Sequence, residues 1–336
     1  MNTTIATPEP ARSSGSETAV RVVAPGRLHL GFLDLAGTLG RKFGSLGISL
    51  DSPATSVRLS RSDRLAVSGP DAERAAVTVE RVARQLGLDS AVRLVVETAL
   101  PPHSGLGSGT QLGLAVGAGL AMLQGRHISP RDIGAALGRG ARSAIGIGAF
   151  TQGGVILDGG KASGNPMPPP ILSRLPFPET WRIVLVYDHA HRGLSGTDEV
   201  SAMAALPPFP ETLAGHLARL TVMVALPAVA EGDVRHFSEA VGEIQRRLGD
   251  HYASVQGGRY TSETVAEIMG SIEAAGVPGV GQSSWGPTGF AIFGDAAEAE
   301  GLMAAMRARY ADRPGIAFDC VRGANRGAHI EWLAGG

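Results

Sequence analysis

A proline-stiffened glycine loop constrains this fold more than any other stretch of the sequence. Pro101-Pro102-His103-Ser104-Gly105-Leu106-Gly107-Ser108-Gly109-Thr110 lies between a predicted strand, Ala91–Thr98, and a predicted apolar helix, Gln111–Leu123. A chain written in this order leaves a sheet, turns tightly and starts a helix, and its glycines let successive backbone N–H groups point the same way. The positive end of the helix adds to those donors, so the natural guest is an anion, phosphate above all. The competing reading is a tight strand-to-helix turn that holds nothing. The loop is not a Walker sequence, because no Gly-Lys-Ser/Thr closes it, and its glycines fall at the wrong offsets for a dinucleotide fingerprint. The apolar run Leu112–Leu123 is interrupted by Gly113, Gly117 and Gly119 and is short of the ~20 residues of a membrane span, which predicts a buried helix.

An anionic guest has to be held locally. With 30 Lys plus Arg against 31 Asp plus Glu, the net charge of -1 offers no bulk attraction to nucleic acid or to an anionic membrane, and neither is expected as a partner. Cys320 is the one cysteine, so no intrachain disulfide and no thiolate metal site is expected, and a reducing cytoplasm fits. Residues 1–18, rich in Ser, Thr, Pro and Glu, read as a disordered tail without the apolar stretch of a secretory signal.

Elsewhere the pattern predicts antiparallel β structure at the start: a strand at Val20–Val23, then a hairpin of Thr55–Ser60 with Arg64–Ser68 across Arg61-Ser62-Asp63. Asp71 is a candidate cap for a helix carrying Ala75, Val79, Val82 and Leu86 and stopped by Gly87, and Ser129-Pro130-Arg131-Asp132 opens a short helix to about Arg139. A second glycine-rich stretch, 146–160, encloses a strand at Gly154–Asp158. The proline-rich segment 166–178 reads as a linker between an N-terminal domain, 19–165, and a C-terminal α+β domain, 179–336. In the latter, strands are expected at Trp181–Tyr187, Thr288–Phe293, Ile316–Val321 and Ala328–Leu333, with helices near 196–205, 211–231, 233–248, 261–275 and Ala296–Tyr310.

Three ordered segments carry a family resemblance: Ala24-Pro25-Gly26-Arg27-Leu28-His29-Leu30-Gly31, the loop Pro101–Thr110, and Gly281-Gln282-Ser283-Ser284-Trp285-Gly286-Pro287-Thr288-Gly289-Phe290. The chain resembles the superfamily of galactokinase, homoserine kinase, mevalonate kinase and phosphomevalonate kinase (GHMP). Within it, Arg27 to Asp34, Pro102 to Gln111 and Gly281 to Pro287 are most similar to the β-ribofuranosylaminobenzene 5′-phosphate synthases of methanopterin formation. The resemblance implies an α+β two-domain fold, with a left-handed βαβ unit in a ribosomal-protein-like N-terminal domain and a ferredoxin-like C-terminal domain. It also implies transfer of ribose 5-phosphate from phosphoribosyl pyrophosphate to a ring carbon of 4-hydroxybenzoate or 4-aminobenzoate, with loss of carbon dioxide and pyrophosphate, and Mg2+ as cofactor in a homodimer.

The alternatives are an ATP-dependent small-molecule kinase and a non-catalytic sensor of a phosphate ligand. The kinases commonly carry an Asp shortly before a Gly-Gly pair, whereas Gly146-Ile147-Gly148-Ala149 precedes Gly153-Gly154 here, which speaks against a kinase. Arg27 and His29 are the catalytic candidates: Arg27 for an anionic oxygen, His29 for a phosphate or for the proton of a para-hydroxyl. Phosphate and substrate binding falls to His103, Ser104, Gly105, Gly107, Ser108, Gly109, Thr110 and Arg142. A further donor cluster, Asp188, His191 and Arg192, ends an apolar strand, and Ser283, Ser284 and Trp285 complete the set, Trp285 as a surface for an aromatic ring. No metal ligand is assigned among Asp34, Asp51, Asp158, Asp188, Asp198 and Glu199, since Mg2+ needs only one or two carboxylates beside substrate phosphates.

Overall fold

The computed structural model describes residues 18–193 and 196–334, so the expected tail lies, but for Thr18, outside the described residues. Two long antiparallel strands, β1 (Ala19–Asp34) and β2 (Arg41–Arg61), lead into β3 (Ala66–Ser68), α1 (Ala72–Leu86) and β4 (Val92–Thr98). The glycine loop feeds α2 (Ser108–Leu123), which is followed by α3 (Pro130–Ala136), α4 (Ile145–Thr151), β5 (Val155–Asp158), β6 (Lys161–Ala162) and β7 (Ile171–Leu175). The second half runs β8 (Arg182–Asp188), α5 (Gly196–Ala204), α6 (Glu211–Leu220), a π turn (Thr221–Ala225), α7 (Leu226–Glu231), α8 (Val234–Gln256) and α9 (Glu263–Ala274). It closes with β9 (Val280–Gln282), β10 (Gly289–Phe293), α10 (Ala296–Arg309), β11 (Ile316–Val321) and β12 (His329–Leu333).

The first sheet has the order β12-β1-β2-β4-β3, with β5 paired to β2 and β7. The expected hairpin does not form. Thr55–Ser60 already pairs with β1 on one edge and β4 on the other, so Ala66–Ser68 crosses over and runs parallel to β4, with Ala66 opposite Arg93. Asp71 adopts a left-handed conformation and its carboxylate pairs with Arg74 instead of capping α1. Ser129 does cap α3, accepting from the Asp132 N–H. The segment 166–178 is more than a linker, because Ile171–Leu175 pairs with β5, and the last strand, β12, returns to the first sheet beside β1.

The second sheet, β11-β8-β10-β9, is antiparallel, which is the order of a ferredoxin-like βαββαβ unit. Helices α9 and α10 cover one of its faces through Val265, Ile268, Met269, Ile272, Met303 and Met306. The other face, with Ile183, Leu185, Phe290 and Ile292, shares one core with Leu28, Leu30, Leu46 and Ile48 of the first sheet and with Leu217, Phe237, Ile244 and Leu248 of α6 and α8. The two halves are thereby fused. The helical run Glu211–Glu231 is long and apolar enough to cross a membrane by length and composition, yet its Leu217, Ala225, Ala228 and Val229 belong to this core. On the far side of the first sheet, α1 and α2 bury Val79, Val82, Leu112, Val116 and Leu120 against Val57, Leu59 and Leu94.

Candidate active site

Arg27 and His29 stand two residues apart on β1, so they share a face while Leu28 and Leu30 enter the core. Register shifts fall between Pro25 and Arg27 and between His29 and Gly31. Bulges of this kind re-aim side chains, here toward the glycine loop and the 283–286 turn. The Arg27 N–H donates to Leu106 O (3.1 Å), and its guanidinium donates to Gly105 O. Ser283 links all three motifs: its hydroxyl accepts from the His29 N–H (3.1 Å) and donates to Gly105 O (2.8 Å). The Ser284 N–H donates to His29 O (3.3 Å), and the Gly193 N–H to His103 O (3.2 Å).

The loop itself is built for close approach. Gly105 and Gly107 have φ of 83° and 87°, and a Cβ on Gly107 would sit 3.3 Å from the Arg27 guanidinium carbon. Among the described residues, the N–H groups of Gly107, Ser108 and Gly109 have no partner, and no side chain caps α2. This leaves an open set of donors at the positive end of a buried helix. Ser104, by contrast, spends its hydroxyl on Pro101 O (2.8 Å) within the loop. Thr110 packs its methyl against Gly146, and His103 is exposed.

Two arginines that no motif announced complete the cradle. Arg74 of α1 donates to the Ser108 hydroxyl (3.3 Å), and Arg139, beyond α3, lies 3.0 Å from where a Gly109 Cβ would stand. Arg142 pairs with Glu199 of α5 at 2.7 Å. The cations crowd one another: burial, and then Arg81 and Arg74, lower the Arg139 pKa, while burial pulls Arg27 down to about 10 against the attraction of Glu199. Asp71 pairs with Arg74 and Glu199 with Arg142, yet cations outnumber carboxylates at the loop, a charge balance that suits an anion.

Behind Arg27 the character changes. Burial first, then Arg27 and Arg142, push the His29 pKa down to about 3, so its imidazole is neutral at physiological pH. Its Nε2 is buried without a partner, and the residue lines a cavity of about 30 Å3 together with Phe32, Gln245, Tyr252, Gln256 and Trp285. Trp285 is buried against Tyr252, ring centroids 4.7 Å apart.

The other sequence candidates have other partners. Asp188 accepts from the Ser262 hydroxyl (2.7 Å) and the Ala190 N–H (3.0 Å), tying β8 to the start of α9, while His191 and Arg192 are exposed on the turn that reaches the glycine loop at Gly193. Asp34 holds the Ala36 and Gly37 N–H groups, Asp51 pairs with Arg322, and Asp158 is buried under donors from Ser143, Ala144 and Gly160. The Asp198 side chain lies outside the described residues. Among the described residues no group of three or more His, Cys, Asp or Glu could hold a metal ion. Of the carboxylates considered, Glu199 is the one set among the arginines, which fits a Mg2+ held by one carboxylate and substrate phosphates.

The GHMP kinases N terminal domain matches residues 73–154, and the GHMP kinases C terminal domain matches 225–312. In solved structures the same fold occurs in homoserine kinase from Cytophaga hutchinsonii (TM-score 0.64, 16% identity, 96% of this chain and 100% of that one). It also occurs in mevalonate diphosphate decarboxylase from Staphylococcus aureus (TM-score 0.64, 14% identity, 94% and 98%). Sequence similarity is higher to proteins named beta-ribofuranosylphenol 5'-phosphate synthase. The one from Methanothermobacter thermautotrophicus is 33% identical over 80% of this chain and 87% of its own length, and the one from Archaeoglobus fulgidus 31% over 93% and 99%. On that similarity, end to end through both halves of a GHMP fold, the chain belongs to the beta-ribofuranosylphenol 5'-phosphate synthase family.

Proposed function

We propose that the protein joins the ribose 5-phosphate of phosphoribosyl pyrophosphate to the ring of 4-hydroxybenzoate, releasing carbon dioxide and pyrophosphate. The observation that carries this reading is identity of 31% over 99% of a relative bearing the synthase name. The relatives are named for a phenol product, which favours 4-hydroxybenzoate over 4-aminobenzoate as the acceptor.

In this reaction the C–O bond to pyrophosphate breaks as the ring carbon bearing the carboxylate attacks the anomeric carbon. The C–C bond to the carboxylate then breaks, and its electron pair restores the aromatic ring. Arg27, Arg74, Arg139 and the free N–H groups at 107–109 bind the donor's phosphates and stabilise the charge gathering on pyrophosphate. Mg2+, bound beside Glu199, would supply further charge neutralisation on the leaving group. His29 takes the phenol proton as the ring attacks and returns it as the ring rearomatises, so no net proton is released. A weak base suffices, because a ring that has been attacked makes its hydroxyl a far stronger acid than a phenol.

Incubating the protein with Mg2+, phosphoribosyl pyrophosphate and either acid tests the reading. Equimolar carbon dioxide and pyrophosphate are expected, abolished by chelating the metal. Consumption of ATP with an alcohol would point to a kinase, and binding without turnover to a sensor. Either outcome overturns the synthase.

A further inference from the structure

Three polar atoms around the cavity behind His29 have nothing to bond to. His29 Nε2, the Tyr252 hydroxyl and Gln256 Oε1 are buried and unpartnered, and all three residues line the same void of about 30 Å3. Buried polar atoms are rarely left unmade, and a cluster of them around one void is rarer. Gln256 cannot turn its amide to relieve the shortage, because its Nε2 already donates to Arg259 O (2.9 Å). Nor are the neighbours free: Gln245 donates to Leu30 O and accepts from the Gln282 N–H, and Gln282 accepts from Thr261. The unmet demand is for one small group that both donates and accepts.

We infer that this cavity receives the para-hydroxyl of the aromatic acceptor, with Tyr252 and Gln256 of α8 as the residues that select it. The inference rests on the synthase reading and adds to it the residues that recognise the substituent. The room suits a hydroxyl rather than a ring, so the substituent end enters first and the ring lies toward the anion cradle. A hydroxyl has one proton to give, to His29 Nε2 or Gln256 Oε1, and lone pairs to accept from the Tyr252 O–H. A bare C–H answers none of these atoms. Aromatic faces flank the site: Tyr252 packs on Trp285, and His29 meets Phe32 edge-on at 4.6 Å. The charged residue on the lining, Arg259, is engaged by Asp250 at 2.9 Å. The unpartnered atoms of the lining thus offer neutral hydrogen bonds, with the Arg142–Glu199 pair acting on Tyr252 from outside it.

Calorimetric titration of the full chain with 4-hydroxybenzoate and with benzoate, with and without pyrophosphate, tests this directly. The wild type is expected to bind 4-hydroxybenzoate at least ~10-fold more tightly, the worth of one or two such bonds. Tyr252→Phe keeps the packing on Trp285 and removes only the hydroxyl. It should shrink that preference about fivefold and raise the KM for 4-hydroxybenzoate while leaving the KM for phosphoribosyl pyrophosphate in place. Equal affinity of the wild type for the two acids would overturn the inference, as would a Tyr252→Phe protein whose preference is unchanged or whose two KM values rise together. If the variant does not fold, the wild-type preference alone decides. A wild type that prefers 4-hydroxybenzoate yet releases neither carbon dioxide nor pyrophosphate would overturn the synthase reading and leave the cavity's selectivity standing.

Discussion

The two sides of the β1 strand end treat charge in opposite ways. Toward the glycine loop, Arg27, Arg74 and Arg139 gather at the start of α2, with Glu199 acting on Arg27 and Arg139. Toward α8, the groups are His29, Tyr252 and Gln256, where burial drives the histidine pKa down to about 3 and the tyrosine pKa well above its usual range, so both side chains are uncharged. The division suits the proposed reaction between a highly charged donor and an acceptor read at a neutral substituent, because each reactant would meet the electrostatics fitted to the part of it that must be held.

The charged side should be the more fragile. Arg27→Lys keeps the charge but loses the fork that meets Gly105 O and an anionic oxygen together, so kcat/KM for phosphoribosyl pyrophosphate should fall ~10²–10³-fold. A fall below tenfold would mean that a point charge is all the site uses. His29→Ala should cost about 100-fold with 4-hydroxybenzoate and far less with 4-aminobenzoate, whose nitrogen donates electrons without first losing a proton. Equal losses on the two acids would assign His29 to binding. Arg74, a third exposed and reaching the Ser108 hydroxyl, should contribute less: Arg74→Ala is expected to raise the KM for the donor ~10-fold with little change in the KM for the acid.

The smallest effect is on stability. The His29 pKa is about 3 in the folded chain and ordinarily 6.5, so between those values the unfolded chain binds more protons. The stability due to the neutral ring is complete above pH 6.5 and drains away as the pH falls toward 3. At pH 5 the loss amounts to ~2 kcal/mol, a few degrees in Tm. Thermal melts at pH 7 and pH 5 should therefore differ less in His29→Gln than in the wild type.

The part of the candidate site written in contiguous motifs was legible in the sequence: the loop at 101–110, Arg27 and His29, and the 283–286 turn bond one another in the fold. Arg74, Arg139, Tyr252 and Gln256 were not, because each belongs to an element far away in the chain, and a lone arginine or tyrosine on a helix reads as surface or core. A signal was present in α8. Gln245, Gly249, Tyr252 and Gln256 fall at i, i+4, i+7 and i+11, one helical stripe that mixes amides with an aromatic where a core stripe would be aliphatic. The β structure was underread for a different reason. Pro25, Gly26, Gly31, Gly44, Gly47 and Pro53 break the alternation of β1 and β2, so strands that are continuous in space look like fragments in sequence.

The pairing of β12 with β1, Ala19 opposite Leu333 and Val23 opposite His329, sets a timetable for the birth of the active site. During synthesis from the ribosome, β1 can meet β2 almost at once, but its other edge stays bare until residues 329–333 have followed. The strand that bears Arg27 and His29 is therefore made long before its pairing is finished. Losing residues 329–333 would injure the strand that carries these two residues, although it lies far from them in the chain.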